Sequence, residues 1–557
     1  MSDAATATYR WAWALIDALA AAGLRRLVMS PGSRSTPLTL AALRHPQLEV
    51  QVSVDERAAG FLALGLAKAE GRPVALVATS GSAVANWLPA VVEADMGRVP
   101  LILLSADRPP ELHDCGANQT MDQIGLFGRH VRAFHQLPPA EDDSRWLTGL
   151  AARSLAASLG PLPGPVHWNV PLREPLVPTE VPALAPSAAV PRALPSRLLP
   201  EPAALDTLAP LFASGPGAIV CGPEDLGAEA RAALVDAATR LRVPLLADLL
   251  SGLRCGAADG SVVLAHPDPV ARSAPAVRWL LRFGGAPVSR ALNDWLARCA
   301  GAAQVVVSAH PRVADPAGLA SHVLHADPAA LCRSLPAAAT ADDSLAVFHT
   351  LDAAARAAAE ATCADAAPFE GGLLRAVLHA LPADTAVFIG NSLAIRAADS
   401  FAGCPRAPLR LFGNRGVSGI DGNLATACGI ATALGPTLAV VGDLTFLHDL
   451  NALALARTCP LSVLLLDNGG GGIFDHLAQA ALPEFERGWL TPQPFDAAAA
   501  ARTFGLAYQS VAHTGDAVAA VQAMLAGAGG IVHVSIDRAH SLARTRHFQS
   551  LARTPTA

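Results

Sequence analysis

The sequence predicts an α/β protein of three domains, each a doubly wound parallel sheet, and three observations carry that prediction. Short apolar runs of strand length alternate with longer helical patterns along the whole of the 557 residues. Two compositional breaks cut this alternation into blocks of about 1–180, 200–335 and 367–557. In the first and last blocks an apolar run ends in a Gly/Ser turn that leads to an arginine, as in LVMSPGSRS (27–35) and VFIGNSLAIR (387–396). Open α/β sheets bind ligands at the carboxyl ends of their strands, so these turns are the places to look for a site.

The first block supplies strands at RLVMS (26–30), VQVSV (50–54), VALVAT (74–79) and LILLSAD (101–107). Val50, Val52 and Val54 alternate with polar residues, which predicts a strand with one buried face. Small and apolar residues from Ala58 to Ala69 predict a largely buried helix behind it. Asp55, Glu56 and Arg57 fall at the junction. Local chemistry alone makes Asp55 a cap, sets acids against the helix dipole for ~0.3–1 kcal/mol, and pairs Arg57 with a neighbour. From Pro171 to Pro202 a proline recurs every two to five residues, which predicts an extended connector. The middle block has strands at GAIVCG (217–222), PLLAD (244–248), WLLRFGG (279–285) and QVVVSA (304–309). The alanine-rich stretch at 336–366 predicts a linker helix with a loose end. The last block has AVFIGNS (386–392), LAVVGDL (438–444), LSVLLLDN (461–468) and IVHVSID (531–537).

Composition excludes several classes. With 52% hydrophobic and 16% charged residues the chain can bury large cores, and a net charge of −6 carries no nucleic-acid signature. No apolar run reaches the roughly 18 residues of a membrane span. The N-terminal segment lacks a basic start and is interrupted by Asp17, which argues against a signal peptide. Nine cysteines without a C-x-x-C pair predict reduced thiols and a cytoplasmic location rather than disulfides or zinc. Among 41 basic residues Lys68 is the only lysine, which excludes a G-K-[ST] phosphate loop. The stretch GPGAIVCG (215–222) lacks the spacing of a dinucleotide loop.

The most specific chemistry lies in VVGDLTFLHDLNALALARTCPLSVLLLDNGGGGIF (440–474). One strand ends at Gly442-Asp443 and the next at Asp467-Asn468, followed by four glycines. Two hard oxygen ligands at neighbouring strand ends, with glycines that let backbone approach a phosphate, suit Mg²⁺ carrying a diphosphate. This pattern resembles the diphosphate signature of thiamine diphosphate (ThDP) enzymes, and the resemblance covers essentially the whole chain. It implies pyrimidine-binding, central and diphosphate-binding domains in that order, as in the decarboxylase and acetolactate-synthase branch. It implies Mg²⁺, with Mn²⁺ as the alternative, on Asp443, Asn468 and the carbonyl of Gly470. Gly442 and Leu444 would contact the cofactor beside it, and Ser80, Gly81 and Asn86 would do so from TSGSAVAN (79–86). The family usually has Asn-Asn at the strand end, where this chain has Asp467-Asn468. The resemblance also gives Glu56 a role: a buried carboxylate of raised pKa that hydrogen-bonds N1′ of the aminopyrimidine. Ile420 would be the apolar wedge that bends the cofactor, with the Ser418 carbonyl near its 4′-amino group.

The stretches SPGSRSTPL (30–38), SADRPPELHDCGANQTMDQ (105–123), FIGNSLAIRAAD (388–399) and NRGVSGIDG (414–422) resemble the branch that joins 2-oxoglutarate to isochorismate in menaquinone biosynthesis. Arg34, Arg108, Arg396 and Arg415 all sit at predicted strand-end turns, and guanidinium forks suit substrates with several carboxylates. The resemblance implies that Ser392, Arg396 and Arg415 hold the carboxylate of the succinyl group. It implies that Ser33, Arg34, Arg108, Asn118 and Gln119 receive isochorismate. Relatives carry Lys-Arg in the central domain, where this chain has Ser289-Arg290, leaving Arg290 as the anion contact. It further implies a homodimer or homotetramer, each site drawing on two subunits. Two other readings remain open: a ThDP carboligase or 2-oxo-acid decarboxylase with another acceptor, and a non-catalytic ligand-sensing member of the fold.

Overall fold

The computed structural model of the chain describes residues 4–140, 144–186, 190, 191, 194, 196–336, 344–364 and 367–552. It contains three sheets, in which every pairing between named strands is parallel. The first holds β1 (Arg26–Met29), β2 (Glu49–Val52), β3 (Val74–Ala78), β4 (Leu101–Asp107), β5 (Ala133–Gln136) and β6 (Val166–Pro171), in the order β2-β1-β3-β4-β6-β5. The second holds β7 (Gly217–Cys221), β8 (Leu245–Ala247), β9 (Trp279–Phe283), β10 (Ala303–Ser308) and β11 (His322–His325), in the order β11-β10-β9-β7-β8. The third holds β12 (Ala386–Ile389), β13 (Arg410–Phe412), β14 (Thr437–Gly442), β15 (Leu461–Asp467), β16 (Tyr508–Val511) and β17 (Gly530–Ser535), in the order β13-β12-β14-β15-β17-β16. The first and third sheets therefore share one winding. Each reverses direction after its first strand, which opens a crevice between β1 and β3 and between β12 and β14. The fold class read from the sequence is the one observed.

Packing gathers the chain into two bodies. One comprises Met1–Pro195, Asn414–Gly435 and His448–Pro460; the other comprises Ser196–Gly413, Pro436–Leu447 and Leu461–Ala557. In the first body, Leu27, Val77, Ile102 and Trp168 of the sheet pack with Trp11 and Leu15 of the helix Ala4–Ala22. Asp17 lies inside this helix and is buried, where it meets His45 Nε2 at 3.1 Å. On the other side of the sheet the helix Glu56–Glu70 crosses the helix Asn423–Leu434 at two glycines. A Cβ on Gly65 would lie 2.0 Å from the Thr426 carbonyl oxygen, and one on Gly429 would lie 2.2 Å from that of Leu62. In the second body, Ile219, Leu281 and Val305 centre one core, Leu438, Val440, Leu464 and Val532 another, and Val220, Leu280, Trp295 and Phe348 a third.

Two expectations need correction or completion. The alternating valines of VQVSV do not define a buried face: β2 is a sheet edge, with Val52 53% and Val54 83% exposed. Val50 is half-buried against the first core, but the strand ends at Val52 on the sheet edge, which leaves Val52 and Val54 outside that core. The linker helix forms at Ser344–Cys363, and of the rest of the 336–366 stretch, where a loose end is expected, 337–343 and 365–366 lie outside the described residues. The described residues of 172–201 belong to no helix or strand, as an extended connector requires. No helix among the described residues is long and apolar enough to cross a membrane.

Candidate active site

In the second body, β14 ends at Gly442 and the helix Asp443–His448 starts directly behind it. Asp443 is 5% exposed. Its Oδ1 accepts the Leu444 N–H at 2.8 Å and its Oδ2 the Gly470 N–H at 2.5 Å. The neighbouring β15 ends at Asp467, which places Asn468 beside Asp443 across the pair. The Asn468 amide is oriented by a residue the sequence did not single out. Its Nδ2 donates to Glu370 Oε1 at 2.8 Å, and the other Glu370 oxygen accepts the hydroxyl of Ser541. Glu370 and Ser541 are both buried, so this arrangement is held from behind. Its consequence is that Asn468 Oδ1 is a buried acceptor with no hydrogen-bond partner. Such an orphaned oxygen, next to a buried carboxylate, fits a hard cation.

The glycines that follow have steric reasons to be glycine. Gly470 has φ 131°, and a Cβ there would lie 2.2 Å from the Leu490 carbonyl oxygen. A Cβ on Gly472 would lie 2.7 Å from Asn468 Nδ2. Burial, with Asp467 alongside, pushes the Asp443 carboxyl up to about 6, a shift that a bound cation would oppose. Asp467 is itself held below the usual carboxylate range by His533, whose Nε2 lies 3.0 Å from Oδ2 and whose Nδ1 lies 2.8 Å from the Tyr508 hydroxyl. No group of three or more His, Cys, Asp or Glu is placed to hold a metal among the described residues. A cation here would therefore take one carboxylate, amide and backbone oxygens, and the oxygens of its phosphate and water. Ser392 and Arg396 belong to the same body: Ser392 has φ 65°, and exposed Arg396 donates to its carbonyl oxygen at 2.7 Å. Arg290 stands apart on the helix Arg290–Arg298, with its side chain 88% exposed and 3.7 Å from Asp294. Its neighbour Ser289 is a structural residue, capping that helix through the Leu292 N–H and donating to Asp268 at 2.6 Å.

In the first body, Asp55 caps the helix Glu56–Glu70 by accepting the N–H groups of Arg57 (2.9 Å) and Ala58 (3.2 Å). Arg57 donates to Asp449 Oδ1 at 3.3 Å, and the other Asp449 oxygen accepts the Ala425 N–H at 2.9 Å. Both flanking residues thus have the local roles foreseen for them, and Glu56 is the acid in the first turn, where it complements the helix dipole. Glu56 is half-buried in the single chain, rather than fully buried as its expected role suggested. It stands at the exposed sheet edge just described.

At the carboxyl ends of β3 and β4, Arg108 donates to Ser80 Oγ, which donates to the Gln119 carbonyl oxygen at 2.9 Å. Gln119 returns a bond from Nε2 to the Ser80 carbonyl at 3.1 Å, and Gly81 N–H donates to Gln123 Oε1 at 2.9 Å. Behind this turn, Gln123 and Asn169 join Asp107, Gln136 and Ser105 in a buried network, with Ser105 Oγ 2.6 Å from His167 Nε2. Arg34 is buried across the crevice, donating to the Leu172 carbonyl and to Glu174 at 2.9 Å each. Burial and the Arg34 charge together lower the Arg108 pKa, which places the two guanidiniums within electrostatic reach. Ser33, Asn86, Asn118 and Gln119 are exposed around this turn. Ser80, Gly81, Arg108 and Gln119 are thus brought together, with Arg34 nearby. The segment 414–420 lies in this body too, with Arg415 and Ile420 half-buried and Ser418 exposed at φ 60°.

This arrangement, two like-wound sheets with a buried carboxylate and an orphaned amide oxygen at the ends of β14 and β15, is matched by three domain families in order. The N-terminal TPP binding domain of thiamine pyrophosphate enzymes matches 10–126, the middle domain 205–389 and the C-terminal TPP binding domain 396–536. Fold and sequence together therefore define a thiamine pyrophosphate enzyme. Among solved structures, benzoylformate decarboxylase from Polynucleobacter necessarius superposes with a TM-score of 0.71 at 16% identity, covering 95% of this chain and 98% of that one. A putative thiamin diphosphate-dependent enzyme from Mycobacterium smegmatis does so with a TM-score of 0.70 at 20% identity, covering 94% and 98%. At those identities the likeness is one of fold. The curated relatives are closer. A 2-succinyl-5-enolpyruvyl-6-hydroxy-3-cyclohexene-1-carboxylate synthase of Dechloromonas aromatica is 43% identical over 93% of this chain and 96% of its own length. Synthases of the same name from Geobacillus kaustophilus and Halobacterium salinarum are 41% and 40% identical over 89% and 95% of this chain, and over 89% and 95% of their own lengths. The chain belongs to the 2-succinyl-5-enolpyruvyl-6-hydroxy-3-cyclohexene-1-carboxylate synthase family.

Proposed function

We infer that this chain is a ThDP-dependent synthase that decarboxylates 2-oxoglutarate and adds the remaining four-carbon unit to isochorismate in a 1,4 sense, in menaquinone biosynthesis. The observation that carries the reading is full-length kinship at 40–43% identity with synthases of that name. The cofactor, when bound, supplies the thiazolium that accepts electrons as CO₂ leaves. The chain's own residues supply charge and position. Asp443, Asn468 and the Gly470 carbonyl would hold Mg²⁺, or Mn²⁺ in its place, against the diphosphate. The support is the orphaned Asn468 Oδ1 beside buried Asp443. Gly442 and Leu444 would line that cradle.

Glu56 would hold and exchange a proton at N1′ of the aminopyrimidine, with Ser80, Gly81 and Asn86 along the ring, Ile420 wedged under it and the Ser418 carbonyl at the 4′-amino group. A half-buried carboxylate at an exposed edge suits a site closed by a second subunit, so we propose a homodimer as the smallest active form, with a tetramer as the alternative. Ser392, Arg396 and Arg415 would bind the distal carboxylate of 2-oxoglutarate. Ser33, Arg34, Arg108, Asn118 and Gln119 would receive isochorismate, with Arg290 contributing charge from the central domain. Nine free cysteines suit a reducing, cytoplasmic setting. Isochorismate consumption, measured with ThDP, Mg²⁺ and 2-oxoglutarate each omitted in turn, tests the reading. Loss should require all three; loss without 2-oxoglutarate would refute it.

A further inference from the structure

Lys68, the only lysine of the chain, sits in the otherwise apolar stretch of the helix Glu56–Glu70. It is half-buried there, with its side chain 14% exposed, and no role assigned above uses it. Its Nζ donates to Asn414 Oδ1 at 2.9 Å and lies 3.7 Å from Glu93 Oε1. Glu93, 2% exposed on the helix Leu88–Gly97, accepts the Gly416 N–H on Oε1 at 2.8 Å and the Val417 N–H on Oε2 at 2.7 Å. The backbone comes close enough for this only because residue 416 is glycine: a Cβ there would lie 2.5 Å from the Glu93 carbonyl oxygen and 2.8 Å from the Gly97 nitrogen. Asn414 is fixed from a second side, with its Nδ2 donating to Thr426 Oγ1 at 2.9 Å. The residues immediately before and after Arg415 are therefore both tied to one ion pair, whose carboxylate is buried and whose lysine is half-buried.

We propose that Lys68 and Glu93 are a positioning pair that fixes the 414–420 segment so that Arg415 is presented to the carboxylate of the 2-oxo acid. This rests on the reading of that segment as substrate- and cofactor-binding. A buried ion pair is a poor way to gain stability, since well-packed apolar residues of like volume commonly do as well. What charge adds here is direction. An ionised carboxylate offers two strong acceptors in a fixed plane, and two successive backbone N–H groups match them with charge-assisted bonds. Burial lowers the Lys68 pKa while Glu93 raises it, so the carboxylate is also what favours the charged lysine at this depth. Helix Glu56–Glu70 thus presents Glu56 at its start and, three turns on, anchors the segment that carries Arg415.

The test uses full-length holoenzyme and two variants. Glu93→Gln keeps the volume but replaces one acceptor with an amine that repels a backbone N–H. Lys68→Met keeps the stem and removes the charge. Hydrogen exchange of peptides covering 412–422 should rise about tenfold or more in Glu93→Gln, and in the same direction in Lys68→Met, with the central sheet unaltered. The KM for 2-oxoglutarate should rise about tenfold while kcat changes less than about threefold, the pattern of lost binding rather than lost chemistry. Unchanged exchange at 412–422 in whichever variants fold would overturn the proposal. So would a lowered melting temperature with an unchanged KM. Inactive wild-type protein would instead refute the functional reading, and exchange would still decide whether the pair holds the segment.

Discussion

Glu370 offers a direct probe of the proposed metal site, because it touches Asn468 and is remote from it in sequence. Glu370→Ala removes the acceptor of the 2.8 Å bond from Asn468 Nδ2 and the acceptor of the Ser541 hydroxyl. Two buried donors would then lack partners, at about 1–3 kcal/mol each, so the melting temperature should fall. More specifically, Asn468 would lose the bond that faces its Oδ1 away from Glu370. Loss of an outer-sphere contact of this kind typically lowers metal affinity about 10–100-fold. Glu370→Gln is the control. Its amide oxygen can still accept from Asn468, and its amine can donate to the Ser541 hydroxyl, so affinity should stay within about threefold of wild type. Calorimetric titration of Mg²⁺ into protein saturated with ThDP measures both. An unchanged Mg²⁺ affinity in Glu370→Ala, with only a lower melting temperature, would refute the claim that Asn468 Oδ1 is held out for a cation.

Three further outcomes follow from the same geometry. Arg415→Ala should raise the KM for 2-oxoglutarate at least about tenfold while leaving ThDP affinity within about threefold, as steady-state kinetics and calorimetry would show; equal loss of both would indicate a misfolded segment. Burial holds His167 down to about 3, below its ordinary 6.5. The folded state thus favours the neutral ring: its contribution is fully present above about pH 6.5 and is lost as pH falls toward 3. At about 1.36 kcal/mol per pH unit that is up to ~5 kcal/mol, visible as a steep fall in chemical-denaturation stability below pH 6 that His167→Gln should flatten. Gly65→Val should destabilise the protein by several kcal/mol or prevent folding, because its Cβ would meet the Thr426 carbonyl at 2.0 Å; a melting temperature near wild type would refute the tight helix crossing.

Much of this architecture was legible in the chain. All twelve apolar runs correspond to strands, and ten of them are inner strands, which in a parallel sheet are buried on both faces and read as apolar stretches. Four of the five strands that escaped notice, β5, β11, β13 and β16, are sheet edges of three or four residues. The fifth, β6, is internal but carries His167, whose Nε2 meets Ser105, and Asn169, whose amide bonds residues 33 to 64 positions away. Those partners are invisible locally, so nothing near the run marks its polar residues as strand interior. The valines of VQVSV misled for the opposite reason: a period-2 pattern shows which side chains share a face, not whether another layer covers it. At the site, strand-end motifs gave Asp443 and Asn468 because they are close in sequence and set in a glycine-rich context. Glu370 lies 98 residues before Asn468, and Glu93 lies 323 before Gly416. Each is an acid in an apolar helix, and only the long-range hydrogen bonds give it a task.

Equal turnover of 2-oxoglutarate and isochorismate is the most consequential expectation of the proposed synthase reaction. It is tested most directly by supplying 2-oxoglutarate labelled at its 1-carboxylate to purified protein with ThDP, Mg²⁺ and isochorismate, and counting labelled CO₂ against isochorismate lost. The account predicts one CO₂ per isochorismate, and loss of both in Glu56→Gln without loss of fold or of Mg²⁺–diphosphate binding. CO₂ release at an equal rate without isochorismate, or full activity in Glu56→Gln, would contradict it.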